Sequence, residues 1–198
     1  IGRRKAARLA ETLRRLAERA GLRPPAAPRL PAGRESIHGD LLVALYTCRA
    51  HLDTRVAAIR EGWLPLFERA GARVVIVTGD GDGTYDPQTG ILSLACGDRY
   101  EDLPDKTIAL VRWVFENTGF AYLYKVDDDC VTTPEILLGD LEYRRHDYWG
   151  RAISRIVGDT DRFWHAARST AGWAREGIEK SHEPALYNDG GGGYFLSR

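Results

Sequence analysis

The chain has 198 residues, in which 28 lysines and arginines balance 28 aspartates and glutamates. That length is enough for one domain with a sizeable core. A neutral chain lacks the basic excess that is typical of nucleic-acid-binding proteins. No apolar run approaches the ~20 residues that a membrane-spanning helix requires. The three cysteines are far apart and follow no metal-ligand spacing, so we expect buried, reduced thiols in a cytoplasmic protein.

Residues 3–21 have the pattern of a basic amphipathic helix, and a proline-rich connector follows. We therefore divide the chain into an N-terminal segment (residues 1–36) and one domain (residues 37–198). Leucines among arginines fit two interpretations: contact with the inner face of a membrane, or packing on the protein itself. The helix has no aromatic anchor, which favours packing. The chain begins with isoleucine and has no methionine, so we expect a piece of a longer protein, and its arginine, alanine and glycine content indicates a GC-rich, bacterial genome.

Apolar strand patterns and helical patterns alternate from residue 41 onward. The segments "LLVALYTC", "RVVIVTG", "GILSLAC", "FAYLYKV", "HDYWGRAI" and "GYFLS" predict strands. Helices are predicted over residues 54–71, where Pro65 must kink or split the helix, over residues 105–119, and from residue 134. For the second helix we expect Ile108, Val111 and Phe115 to form the packing face. Such alternation predicts an α/β fold with a mostly parallel central sheet flanked by helices.

Polar residues follow three of the predicted strands at the points where the apolar runs end. They are Thr47, residues 78–82, and the acid triplet of Asp127, Asp128 and Asp129. Ligands of parallel α/β sheets bind outside the carboxyl ends of the strands. We therefore expect these residues to converge on one crevice.

The acid triplet suggests a divalent cation. Side chains of a strand alternate between faces, so Asp127 and Asp129 can point to the same side. Paired carboxylates suit Mg(II) or Mn(II), which bind few protein ligands and keep positions for phosphate oxygens. The alternative is a solvated turn in which aspartates cap backbone amides. Thr132 and Glu135 predict a capping box at the start of the following helix.

Four segments resemble the β1,3-glycosyltransferases of the fringe and β1,3-galactosyltransferase type. "YLYKVDDDCVTTPEIL" is similar to their Asp-x-Asp segment, and "RVAAIREGW" is similar to their arginine-rich helix that ends in tryptophan. "YEDLPDKTIALVRWV" and "ALYNDGGGGYFLSR" resemble two further segments, in the same order. The resemblance covers residues 43–198 except 140–180. It implies the GT-A fold, in which a Rossmann-like, mostly parallel sheet is flanked by helices.

The resemblance also implies a function. These enzymes use Mn(II) or Mg(II) to move a sugar from a UDP-sugar donor to a hydroxyl of an acceptor glycan, with inversion at the anomeric carbon. Carried over to this chain, Asp129 ligates the metal directly and Asp127 lies beside it. The implied donor-binding residues are Thr47, Cys48, Arg49, Arg55, Lys106, Asp127, Asp128, Gly191 and Gly192. For the arginines and the lysine, an ordinary surface role remains open.

The catalytic base is the point of departure from the family. An inverting transferase needs a carboxylate to take the proton of the acceptor hydroxyl, and in the family it lies downstream of the glycine segment. The chain stops at Arg198. We expect the base to lie beyond Arg198, in a domain that is C-terminally incomplete, with Asp189 as a weak candidate that also fits a turn. Two other functions remain open: a non-catalytic domain that binds nucleotide or glycan, and a metal-dependent nucleotidyltransferase.

Overall fold

The computed structural model describes residues 37–155, 166–172 and 185–198, so the helix predicted over residues 3–21 lies outside the described residues. Within these ranges, no helix is long and apolar enough to span a bilayer. The strands are β1 (Leu41–Tyr46), β2 (Arg73–Thr78), β3 (Thr84–Asp86), β4 (Ile91–Ser93), β5 (Tyr122–Asp127), β6 (Tyr148–Gly150), β7 (Ala152–Arg155), β8 (Ala185–Asn188) and β9 (Tyr194–Ser197). The helices are α1 (Ala57–Glu61), α2 (Leu64–Arg69), α3 (Leu103–Asn117) and α4 (Pro134–Gly139), with shorter helical turns at Arg49–His51, Leu52–Val56, Tyr100–Asp102 and Glu142–Arg145.

A seven-stranded sheet forms the centre of the fold, in the order β3-β4-β2-β1-β5-β9-β6. The four strands β4, β2, β1 and β5 run parallel, whereas β3, β9 and β6 join by antiparallel pairing. Every residue of β1 is buried, as expected of a strand covered on both faces. The predicted α/β fold with a mostly parallel sheet is confirmed, and this architecture is compatible with the GT-A fold.

Two apolar layers cover the sheet, one on each face. Leu41, Val43 and Leu45 point into a core that also contains buried residues of α1, α2 and α4. Leu42 and Ala44 point to the opposite side, where α3 packs. Side chains of a strand alternate between faces, so a continuous apolar run such as β1 supplies both cores.

The helix predicted over residues 54–71 is split, as Pro65 requires. α1 ends at Glu61 and α2 begins at Leu64, so Pro65 lies in the first turn of α2. A proline is tolerated there because the amide of that position has no partner within the helix.

The packing face predicted for α3 is right in part: Val111 and Phe115 pack against the core, whereas Ile108 does not. Ile108 is 58% exposed, whereas Leu110 and Val114 are buried together with Lys106. A lysine is rarely buried, so the pattern of apolar residues did not identify Lys106 as part of the helix face that contacts the sheet. Burial is possible here because its ammonium group has polar partners at the cleft described below.

The predicted capping box before α4 does not form. Thr133 is the N-cap of α4 and has no side-chain capping bond. Among the residues that the structure describes, the buried hydroxyl of Thr132 has no hydrogen-bond partner. Pro134 favours an extended residue immediately before it, so the helix starts one residue later than the box requires.

An aromatic stack anchors β9 to the sheet. The ring centroids of Tyr124 and Phe195 are 4.4 Å apart, and those of Phe195 and Tyr143 are 4.6 Å apart. Gly193, which precedes β9, has a φ of +94° and lies against the Tyr124 ring. The chain can therefore enter β9 only through a residue without a side chain.

We predict that Gly193→Ala destabilises the fold. A Cβ atom at this position would lie 2.5 Å from Tyr124 Oη, and the positive φ alone costs roughly 1–3 kcal/mol. Urea denaturation of both proteins measures the change in the free energy of unfolding. Gly119→Ala is the matched control, because no atom lies within 4 Å of its added Cβ and its φ is not positive. Equal effects of the two substitutions would contradict the prediction.

Candidate functional site

The strands β1, β2 and β5 end at the same edge of the sheet, as predicted, and a cleft of about 350 Å³ lies beside the ends of β1 and β5. Its walls come from residues 46–55, 98–106 and 127–129, together with Arg168. Thr78, at the end of β2, is fully buried. The acid triplet and the end of β1 therefore meet in one crevice as predicted, but residues 78–82 do not line it.

Asp128 is the buried member of the acid triplet, with a side chain that is 7% exposed. Its Oδ2 accepts a hydrogen bond from Thr47 Oγ1 at 2.6 Å and pairs with His51 Nδ1 at 2.7 Å. Its Oδ1 accepts one from Arg55 Nη1 at 2.8 Å. Burial raises the pKa of Asp128, but these three hydrogen bonds outweigh it and leave the pKa below its ordinary value. Asp128 is thus held ionised at the base of the cleft.

Asp127 has different partners. Lys125 Nζ donates to its carboxylate and also to the Gly190 carbonyl at 2.8 Å. Burial raises the pKa of Asp127, and the charges of the two neighbouring aspartates add to this, while Lys125 opposes it. The carboxylate is therefore balanced by a lysine of its own strand.

Asp129 is the exposed member of the triplet and lines the cleft. The one hydrogen-bonding contact of its carboxylate among the described residues is the Cys130 thiol, 3.8 Å from Oδ1. Within the described ranges, no group of three or more His, Cys, Asp or Glu side chains forms a metal site. The oxygens of Asp129 and Asp127 fit Mg(II) or Mn(II), which take one or two carboxylates together with phosphate oxygens and water.

Asp98 joins three elements under the cleft. Its Oδ1 accepts hydrogen bonds from the Gly79 amide at 2.7 Å and from Lys106 Nζ at 2.6 Å, and its Oδ2 accepts one from the Arg49 amide at 2.7 Å. Lys106 Nζ also donates to the Thr47 carbonyl. The side chains of Asp98 and Lys106 are 6% and 2% exposed. The pair therefore ties the ends of β1 and β2 to α3.

The predicted donor-binding residues fall into two groups. Thr47, Cys48, Arg55 and Lys106 line the cleft with the acid triplet, although the ammonium group of Lys106 is engaged by Asp98 and Thr47. The guanidinium of Arg49 turns away: it donates to the carbonyls of Gly79 and Asp80 at 3.3 and 3.1 Å and is not part of the lining.

The glycine turn before β9 lies beside the acid triplet. The Gly191 carbonyl accepts hydrogen bonds from the Asp127 amide at 3.4 Å and from Cys130 Sγ at 2.9 Å. Gly191 and Gly192 face the carboxylates of Asp127 and Asp189, respectively. Gly191 therefore adjoins Asp127 at the border of the site, whereas Gly192 adjoins only Asp189.

Asp189 occupies a turn, as its alternative interpretation proposed. Its Oδ1 accepts a hydrogen bond from the Gly191 amide at 3.1 Å, and its Oδ2 lies 3.8 Å from Arg151 Nη1. Its carboxylate caps its own turn, which is a structural role.

Three residues of the site were missed from the sequence: His51, Asp98 and Lys125. A fourth contribution comes from residues 166–172. Thr170 Oγ1 donates to Glu101 Oε1 at 2.5 Å, and the Glu101 side chain is 2% exposed. This contact holds the segment that carries Arg168 at the cleft. Partners 69 residues apart leave no local pattern, so the segment could not have been found by periodicity.

Comparison with known proteins agrees with this geometry. Residues 86–160 match the family model described as galactosyltransferase, a segment that includes Asp98, Lys106 and the acid triplet. The chain is also 34% identical over 116 residues to beta-1,3-galactosyltransferase 6 of Mus musculus. Both matches show what this part of the chain is similar to. The alignment covers 48% of this chain and 35% of the mouse galactosyltransferase, so the chain spans about a third of the length of the relative that it matches.

We predict that Asp128→Asn destabilises the protein in a pH-dependent way. Hydrogen bonds to a charged group are worth roughly 1.5–3 kcal/mol, so we expect the free energy of unfolding to fall by about that amount at pH 7. The folded pKa of Asp128 lies below its unfolded value, about 3.9. The stabilisation is therefore complete above pH 4 and is lost as the pH falls through the folded pKa. Urea denaturation at pH 7 and pH 3 should show a large difference between the two proteins that shrinks in acid.

The exposed Asp53 supplies the control. Asp53→Asn removes the same charge from the surface next to the cleft and should change the free energy of unfolding by less than about 0.5 kcal/mol. A penalty for Asp128→Asn that is equally large at pH 3 would contradict the proposed role of its charge.

We also predict strong coupling between Asp98 and Lys106. Breaking a buried ion pair from one side costs roughly 3–5 kcal/mol, because a charge is left buried without a partner. Asp98→Asn and Lys106→Met should each cause such a loss, and the double variant should lose less than the sum. The exposed pair of Glu142 and Arg145 is the control, with an expected coupling of at most about 1 kcal/mol. Additive losses for the buried pair would contradict the prediction.

Proposed function

We propose that the cleft binds a UDP-sugar together with Mn(II) or Mg(II), and that the protein transfers the sugar to a hydroxyl of an acceptor glycan with inversion. The observation that supports this most is the exposed carboxylate of Asp129, at a cleft where the ends of β1 and β5 meet. The match to the galactosyltransferase family over residues 86–160 supports glycosyl transfer as the reaction class.

Each member of the triplet has its own part in this proposal. Asp129 would hold the cation, with Asp127 beside it. The cation would supply positive charge that offsets the negative charge developing on the departing UDP. Asp128 acts on the protein rather than on the ligand, because its oxygens are engaged by Thr47, His51 and Arg55.

The wall formed by the end of β1 and by Arg55, next to the acids, would bind the nucleotide. Thr47 and Cys48 line the cleft at the end of β1, and Asp98 fixes the backbone that follows them. The guanidinium of Arg55 has five N–H donors, and its Nη1 is bonded to Asp128. Its remaining donors suit diphosphate oxygens.

The name of the relative suggests a more specific donor and linkage. The mouse protein is a beta-1,3-galactosyltransferase, so we propose UDP-galactose as the first donor to test and a β1,3 linkage for the product. A chain that covers 35% of that relative can share its donor site while using a different acceptor.

We predict that UDP with Mn(II) raises the melting temperature of the protein and that Asp129→Ala abolishes the increase. A ligand at 100 times its dissociation constant stabilises the folded state by about 2.7 kcal/mol, which corresponds to several degrees for a domain of this size. Thermal denaturation with and without UDP and Mn(II) measures the shift. Asp105→Ala removes an exposed aspartate outside the cleft and should keep the full shift.

Product analysis separates the proposed function from its alternatives. Release of UDP from UDP-galactose, slowly to water and faster with a suitable acceptor, supports a transferase. Tight binding without release indicates a non-catalytic domain, and pyrophosphate release from a nucleoside triphosphate indicates a nucleotidyltransferase. A wild-type protein that shows no shift with UDP and Mn(II) contradicts the whole proposal.

A further inference from the structure

His51 is a cleft residue that the acid triplet does not account for. It ends the short helical turn Arg49–His51 after β1 and lines the cleft. Its side chain is 34% exposed, and its Nδ1 lies 2.7 Å from Asp128 Oδ2. One edge of the imidazole ring therefore faces a buried carboxylate, while a third of the side chain remains accessible.

The protein environment fixes the orientation of this ring. Asp128 cannot move to follow it, because Thr47 Oγ1 donates to the same carboxylate oxygen at 2.6 Å and Arg55 Nη1 donates to the other at 2.8 Å. An ionised carboxylate only accepts hydrogen bonds, so the hydrogen of the neutral imidazole lies on Nδ1. In that tautomer, Nε2 is an acceptor. Among the described residues, Nε2 of His51 has no hydrogen-bond partner.

The other acceptors of the cleft are committed or suited to a different ligand. Asp128 and Asp98 each accept three hydrogen bonds from protein donors, and the carboxylates of Asp127 and Asp129 suit a cation. In the neutral imidazole of His51, Nε2 is thus an acceptor on a wall that also carries donors such as Arg55. A neutral acceptor matches a hydroxyl group, whereas a phosphate oxygen requires a donor.

We propose that His51 is a ligand-contacting residue, in which Asp128 orients the imidazole ring so that Nε2 accepts a hydrogen bond from a sugar hydroxyl of the donor. This inference rests on the proposed function, because it takes a nucleotide-sugar as the ligand. The hydroxyl belongs to the ribose or to the transferred sugar, and the chemistry of the contact is the same in both cases.

The substitution His51→Asn tests the contact without removing the bond to Asp128. Its amide N–H₂ can replace Nδ1 as a donor to Asp128, but it has no group at the place of Nε2. His51→Phe removes both nitrogens and reports on the bond to Asp128 as well. His146→Asn is the matched control, since His146 is 50% exposed and lies outside the cleft. Circular dichroism and thermal denaturation verify that each variant is folded.

Isothermal titration with Mn(II) present gives the affinities for UDP and for UDP-galactose. Loss of one neutral hydrogen bond corresponds to about a fivefold weakening, which we expect for His51→Asn and not for His146→Asn. Weaker binding of UDP itself assigns the contact to a ribose hydroxyl. Weaker binding of UDP-galactose alone assigns it to the transferred sugar. Unchanged affinities of His51→Asn for both ligands overturn the proposal and leave His51 with a purely structural role.

Deoxy analogues provide a second measurement that needs no variant. If the contact is to the ribose, either 2′-deoxy-UDP or 3′-deoxy-UDP should bind the wild-type protein about fivefold more weakly than UDP. If it is to the transferred sugar, a deoxygalactose analogue of the donor should show the same loss. Full affinity for every analogue contradicts the inference. Failure of the wild-type protein to bind UDP at all is a different result, because it rejects the proposed function itself.

Discussion

The parallel pairing of β1 with β5 is the constraint from which the cleft follows. Tyr46 lies opposite Asp127 in this register, so both strands end at the same level and Thr47 meets Asp128. The Asp128 amide donates to the Tyr46 carbonyl at 3.1 Å, which extends the ladder past the end of β5. Because side chains alternate along a strand, a shift of one residue would turn Asp128 to the other face of the sheet. Register therefore determines which acid is buried.

The distribution of partners explains how three adjacent carboxylates are tolerated. Like charges at this separation repel one another, but the protein balances two of them internally: Lys125 faces Asp127, and Arg55 faces Asp128. Burial dominates for Asp127 and raises its pKa, whereas hydrogen bonds dominate for Asp128 and lower its pKa. The triplet is thus not a set of equivalent ligands. Asp129 keeps the most accessible negative charge at the cleft.

Hydrophobic periodicity predicted the elements that build the cleft, because burial on both faces leaves a continuous apolar run in β1, β2 and β5. It failed where a polar side chain is buried because a residue distant in the sequence pairs with it. The buried face of α3 was not fully recognised because it includes Lys106. The ammonium group of this lysine can be buried because Asp98 and the end of β1 accept its hydrogen bonds. No other histidine lies at a metal-ligand spacing from His51, so spacing offered no reason to assign it to a site. Its partner Asp128 is 77 residues away and could not be inferred.

The direction of individual side chains could not be predicted from the sequence either. Arg49 and Arg55 are both arginines close to the end of β1, yet Arg55 reaches Asp128 while Arg49 binds carbonyls of the chain after β2. Carbonyl groups left unpaired at the end of a parallel strand are strong acceptors, and they compete with the cleft for a nearby guanidinium. The family resemblance implied a role in the site for both arginines and could not distinguish between them.

The glycine turn before β9 shows which glycines the fold itself requires. Gly193 has a positive φ and no room for a Cβ atom beside Tyr124, so its identity follows from packing. At Gly190 and Gly191 the backbone is not in the left-handed region. A Cβ atom added to Gly191 would have Asp127 Oδ2 as its closest neighbour, at 3.5 Å. Local strain does not explain these two glycines. At Gly191, the lack of a side chain keeps the space beside Asp127 open, and a backbone without side chains permits close approach to the acid triplet.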